Sequence, residues 1–104
     1  MDNHVDVYKV TMLEHAYRDL DAIFEYISNT LLEPVVALNI VDEIETAILS
    51  LDIMPHRCPK RKVGVYASNG YRQLFVGNYT IIFRIDEENK LVLVVTVRYS
   101  ASQF

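Results

Sequence analysis

Two alternating runs, residues 71–76 and 79–86, are separated only by Gly77-Asn78. A two-residue link with glycine first is the preference of a type II′ turn, which closes an antiparallel hairpin. The turn sets the register: Val76 faces Tyr79, Leu74 faces Ile81 and Arg72 faces Phe83. Those six residues, extended by Ile85, form one mostly aliphatic face. Tyr71, Gln73, Phe75, Thr80, Ile82 and Arg84 form the other. A sheet with one aliphatic face needs a cover, and the residues upstream supply one.

Ala16, Leu20, Ile23, Phe24, Ile27 and Leu31 recur at helical spacing, with Arg18, Asp19, Asp21 and Glu25 elsewhere on the wheel. Ser28-Asn29-Thr30 weakens the end of this helix. Pro34 suits the first turn of a second helix, whose stripe is Ala37, Ile40, Val41, Ile44, Ile48 and Leu51, and Pro55 stops it. The short connection predicts an antiparallel helical hairpin. Residues 5–13 read as a first strand with Tyr8, Val10 and Met12 on one face. Residues 91–99 read as the last strand. Strict alternation, with Ile85 opposite Leu91 across a loop at 86–90, puts Leu91, Leu93, Val95, Val97 and Tyr99 on the helix side. Val92, Val94, Thr96 and Arg98 then face away. The predicted fold is α+β, β-α-α-β-β-β, with the helical hairpin on one face of a mainly antiparallel sheet, in one domain over residues 1–104. Its expected core is Leu20, Ile23, Phe24, Ile27, Ile40, Ile44, Ile48, Leu74, Ile81, Phe83, Leu93 and Val95. Arg72, at the end of the helix-facing side, is expected to meet a carboxylate, because an unpaired buried guanidinium costs several kcal/mol.

The net charge of −4 hides a split: residues 1–55 carry −9 and residues 56–104 carry +5. One reading is two faces with different partners; the other is mutual attraction of the halves plus solvated helix carboxylates. Cys58 is the only cysteine, so there is no internal disulfide, which fits a reducing cytoplasm. No signal-peptide pattern opens the chain, and the longest apolar run, 91–97, is far short of the ~20 residues that span a bilayer. No membrane association is expected. His4, His15 and His56 are widely separated and Cys58 has no partner at ligand spacing, so neither a metal nor a cofactor is expected.

The chemistry-bearing stretch is the basic segment Arg57, Lys60, Arg61 and Lys62, beside a sheet face carrying Arg84 and Arg98. Those cations suit phosphates, and Tyr71 and Phe75 suit stacked bases, with Gln73 between them. A solvated loop with ordinary cross-strand pairs explains the same residues, and both readings stay open. His56 is either a proton shuttle or an exposed loop histidine. Ile82, Val92 and Val94 would leave an apolar patch on the far face, ringed by Arg84 and Arg98. A partner segment would cover it, since little chain follows the last strand to do so.

The stretches AYRDLDAIFEYI (16–27), PVVALNIVDEIETAILSLDIMP (34–55), YRQLFVGNYTIIFRID (71–86) and LVLVVTVRY (91–99) together resemble the RelE/ParE superfamily of toxins from type II toxin–antitoxin modules. The helical-hairpin pattern looks more like the ParE branch. The resemblance implies a bacterial, cytoplasmic growth inhibitor, of the plasmid-stabilization type, neutralised by a cognate antitoxin and forming a higher-order toxin–antitoxin complex. It implies either a DNA gyrase poison, the ParE-like mode, or a ribosome-dependent mRNA endonuclease, the RelE-like mode; a non-toxic binding module of the same fold is the third reading. The nuclease mode would use Lys60, Arg61, Lys62, Arg84, Arg98 and Tyr99 for phosphate clamping and proton transfer. Nucleic-acid or target contacts would fall on Arg57, Lys60, Arg61, Lys62, Tyr71, Gln73 and Arg84. Antitoxin contacts would fall on Ile82, Arg84, Val92, Val94 and Arg98. Where many relatives continue with a Gly-Arg-Arg-like turn, this chain has Ser100, Ala101, Ser102 and Gln103, which argues against the nuclease mode.

Overall fold

A computed structural model describes residues 5–104. The elements are β1 (Lys9–Met12), α1 (Glu14–Glu25), α2 (Pro34–Leu49), β2 (Arg72–Val76), β3 (Tyr79–Asp86) and β4 (Leu91–Tyr99). The strand order is β1-β4-β3-β2, with β1 parallel to β4 and the other pairs antiparallel. The expected α+β architecture is therefore present, with both helices on one face of the sheet.

The β2–β3 hairpin has the register read from the turn, including Val76 opposite Tyr79 and Arg72 opposite Phe83. Gly77 takes φ +56° while Asn78 stays at negative φ, the type II′ pattern that only the first position needs glycine to adopt. The weak stretch at the end of the first helix becomes a π-helical turn, Tyr26–Thr30, closed by the Leu31 N–H on the Tyr26 carbonyl at 3.0 Å. Pro34 occupies the first turn of α2. The core joins Ala16 and Leu20 of α1 and Ile44 and Ile48 of α2 to Ile81, Phe83, Val92, Val94 and Val97 of the sheet.

The β4 register differs from the expectation. Asp86 pairs with Leu91, Ile85 with Val92 and Phe83 with Val94, so the loop shortens to residues 87–90. The pairing then slips between Ile82 and Phe83: Ile82 meets Thr96 and Ile81 meets Val97. Val95 is the extra residue of a β-bulge, which opposes two residues to one and reverses the facing along the strand. Val92 and Val94 thus point into the helix-covered core, fully buried, while Leu93 and Val95, expected there, are only half-buried. Thr96, Val97, Arg98 and Tyr99 keep the facing that alternation assigned them.

Tertiary packing supports the bulge. β1 ends at Met12 opposite Val94, and the Leu13 N–H donates to the Val94 carbonyl at 2.9 Å as the chain leaves for α1. Beyond that point no strand among the described residues pairs with β4 on this side. Asp19 of α1 stands in, accepting from the Val97 N–H at 3.0 Å and from the Thr96 hydroxyl. A side-chain carboxylate replaces the missing ladder partner of an otherwise orphaned amide.

Among the described residues Arg72 meets no carboxylate. Its Nη1 donates to the carbonyls of Cys58, at 2.6 Å, and His56, at 3.4 Å. Residues 58–61 run along the outer edge of β2, with Gln73 N–H on the Pro59 carbonyl and Arg61 N–H on the Tyr71 carbonyl. The guanidinium is satisfied by the carbonyls of the loop that covers that edge.

Candidate functional site

The basic loop does not present its cations uniformly. Arg61 is only 9% exposed. Its Nε donates to the Val63 carbonyl (3.0 Å), Nη1 to Gln73 Oε1 (3.0 Å) and Nη2 to the Phe104 backbone oxygen (3.1 Å). The Phe104 ring lies against this guanidinium, 4.3 Å from centroid to Cζ, and against that of Arg98 at 5.5 Å. Arg98 Nε also donates to Thr96 Oγ1 at 3.0 Å. Planar guanidinium groups pack well on aromatic faces, so one ring engages both arginines. Residues 100–104 reach this position because the chain turns after β4. Ser100 N–H donates to the Asn78 carbonyl (2.7 Å), Ser102 N–H donates to the Tyr99 carbonyl (2.9 Å), and the Ser100 and Thr80 hydroxyls lie 2.8 Å apart.

The other sequence-selected residues are dispersed. Arg57 donates to the carbonyls of Ile53 and Met54 and to Ser50 Oγ, so it ties down the chain after α2. Lys60, Lys62 and Arg84 are exposed. Tyr71 packs edge-on against Tyr66 at 5.1 Å. Tyr99 packs against Tyr79 at 5.8 Å and lines a helix-side groove, away from Arg61. Ile82, Val92 and Val94 are all 0% exposed, so the expected open apolar patch is not at the surface. The helices cover Val92 and Val94, and Ile82 is shielded on the far side of the sheet.

Two features were not read from the residues. A groove of about 540 Å³ runs between β1 and the helices, floored by Val10, Met12, Leu20, Phe24 and Ile48 and bordered by Asp21, Asp42 and Glu45. Its rim also exposes Tyr17, Leu38 and Leu49. The charge split and the off-stripe Leu38 and Leu49 were the available signals. The second feature is a polar cluster at the far end of β1. The Tyr8 hydroxyl donates between the two Glu87 carboxylate oxygens (2.7 and 2.9 Å), and Lys90 Nζ bridges Glu87 (3.0 Å) and Asp6 (3.2 Å). The Tyr8 hydrogen bond, then that of Lys90, holds the Glu87 carboxyl below its ordinary value. Hydrogen bonds to Glu87 and then Asp6 push the Lys90 ammonium above its own. His56 sits 3.9 Å from Glu87 and edge-on to Tyr8, so its contacts are with this cluster.

Among the described residues no group of three or more His, Cys, Asp or Glu side chains could hold a metal ion; His4 lies outside them. No helix among them is long and apolar enough to cross a membrane.

Comparison with known proteins agrees with this architecture. In the solved chromosomal ParDE toxin–antitoxin system of P. aeruginosa, one chain superposes with a TM-score of 0.74 at 22% identity, over 90% of this chain and 97% of that one. A chain of the RelBE toxin–antitoxin complex from Mycobacterium tuberculosis superposes with a TM-score of 0.63 at 26% identity, over 97% of this chain and 100% of that one. No curated protein sequence matches. The family model described as the ParE toxin of the type II toxin–antitoxin system parDE matches residues 10–104, nearly the whole described chain, and the protein therefore belongs to the ParE toxin family.

Proposed function

We propose that this toxin inhibits growth in the ParE-like mode, by poisoning DNA gyrase, and is neutralised by a cognate antitoxin. The observation that carries the choice of mode is the make-up of the arginine cleft. Arg61 and Arg98 are engaged by Phe104, Gln73, Val63 and Thr96, and the cleft is lined by Phe75, Thr80, Gly64 and residues 100–104, with no carboxylate or imidazole side chain among the lining residues; the Asp19 carboxylate, with His15 3.5 Å from it, reaches Arg98 only through the Thr96 hydroxyl. Backbone cleavage of RNA needs a group that takes a proton from the ribose hydroxyl and one that protonates the leaving oxygen. His56, the nearest conventional candidate in sequence, belongs to the Tyr8–Glu87 cluster instead. The exposed Lys60, Lys62 and Arg84 are left as target contacts.

The antitoxin is assigned to the acid-rimmed groove. Its apolar floor would take the apolar face of an antitoxin helix, and Asp21, Asp42 and Glu45 would meet basic residues beside that face. Both solved relatives are toxin–antitoxin systems, which supports such a partner.

The test is induction of the chain with and without the neighbouring gene, followed by two assays on purified protein. Inhibition of gyrase supercoiling without ribosome-dependent mRNA cleavage is the expected result. Cleavage that disappears in a Lys60/Arg61/Lys62 triple-Ala variant, with supercoiling untouched, would establish the RelE-like alternative. For the antitoxin, Asp42→Lys with Glu45→Lys should slow association and weaken its salt dependence. If Arg84→Glu with Arg98→Glu does so instead, the antitoxin lies on the far face.

A further inference from the structure

Residues 100–104 lie on the far face of the sheet as a cover, held by hydrogen bonds and one aromatic ring where the helices hold the other face by apolar contact. Ser100, Ala101, Ser102 and Gln103 are exposed, and Phe104 is half-buried. The segment contributes nothing to the hydrophobic core. Segments with little buried apolar surface occupy the low end of local stability and open first.

The seat beneath it is, by contrast, built. Arg61 is held from behind by the Val63 carbonyl and by Gln73, both contacts independent of the tail. Its remaining Nη2 points at the Phe104 oxygen. Gly64 forms the opposite wall at φ +74°, and a Cβ there would fall 1.6 Å from the Phe104 oxygen. Only a residue without a side chain leaves room for that oxygen. The result is a seat with a fixed guanidinium and an oxygen-sized notch, with a second guanidinium, Arg98, 5.5 Å from the ring centroid; a cleft of about 520 Å³, lined by the seat and by residues 100–104 together, stays open beside the tail.

We propose that residues 100–104 are a displaceable plug, and that the cleft beneath binds in trans a protein segment presenting a phenyl ring with a backbone oxygen beside it. The occupant's chemistry is read from the plug itself. The ring satisfies the two guanidinium faces and the oxygen satisfies the free Nη2. Because Gln73 and Val63 hold Arg61 without the tail, the cleft stays formed when the plug leaves, and a partner segment meets a preorganised site. The inference does not depend on whether gyrase or the ribosome is the target.

The probe is the hexapeptide Tyr-Ser-Ala-Ser-Gln-Phe, the sequence of residues 99–104, labelled at its N-terminus and added to the full chain. Phe104→Ala opens the plug and leaves the seat intact, so it should bind the peptide at least about tenfold more tightly than the native chain. The Arg61 Nη2–H, which donates to the Phe104 oxygen, should exchange about tenfold faster in Phe104→Ala and return to native protection when peptide is added, while the Nε–H on the Val63 carbonyl stays protected. Adding Gly64→Ala to Phe104→Ala fills the notch and should abolish peptide binding. The Ile81 and Val94 amides report on the fold and should stay protected throughout. Equal binding to the native chain and to Phe104→Ala, undiminished binding to the double variant, or loss of Ile81 and Val94 protection together with Arg61 would each overturn the proposal.

Discussion

Each face of the sheet has a fully buried centre, reached by opposite means. On the helix side Ile81, Phe83, Val92 and Val94 are 0% exposed, and on the far side Ile82 and Thr96 are also 0% and Thr80 is 1%. The first group is covered by aliphatic side chains of α1 and α2. Around the second lie a carboxylate, two guanidinium groups and a few hydrogen bonds from Asp19, Arg61, Arg98 and residues 100–104. Apolar contact is non-directional and adds over many atoms, so the helix side tolerates small shifts and dominates stability. Directional polar contacts exchange with water at little net cost, so the far side can be rearranged by a partner. Burial alone does not distinguish a core from a cover.

The sharpest way to break this comparison is Val94→Asp. A carboxylate at this position must enter the dry helix side, at several kcal/mol per ion, against a total stability of ~5–15 kcal/mol. The chain should fail to fold, seen as loss of near-UV dichroism and of a cooperative melt; a folded variant would place Val94 on the far face after all. Next is Phe83→Ala, which removes the largest fully buried side chain. It should cost ~3–5 kcal/mol in denaturant unfolding. Asp19→Ala removes the acceptor for the Val97 N–H and the Thr96 hydroxyl, and should cost ~1–3 kcal/mol. Hydrogen exchange should show this loss concentrated at Thr96 and Val97, and an even loss across the sheet would mean that the carboxylate does not secure the bulge.

The smallest effect belongs to Tyr8→Phe, and its sign depends on pH. The Glu87 carboxyl is held below its ordinary value, so its contribution is present above the ordinary glutamate range and is lost as pH falls through the depressed value. Native and Tyr8→Phe chains should therefore differ in melting temperature at neutral pH and converge in acid. A difference that persists unchanged in acid would show that the Tyr8 hydroxyl acts through contacts other than Glu87.

The sequence alone determined the elements, their order and the β2–β3 register. Helical spacing is a property of one segment, and a Gly-Asn link leaves the strands it joins no other alignment, so both are local facts. The acidic and basic halves were equally plain, but not where they would act. Alternation also assigned Thr96, Val97, Arg98 and Tyr99 correctly, yet it failed for residues 91–95, because the extra residue Val95 leaves no mark on composition. Only the tertiary structure decided that bulge: β1 stops at Met12, α1 brings Asp19 to the bared edge of β4, and the strand adjusts to meet it. The same holds for Arg61. Its charge was legible, but its burial depends on Gln73, twelve positions away, and on Phe104, forty-three away. Periodicity records which way a residue faces within its own element, whereas the partner that waits there is set by chain segments that meet only when the sheet closes.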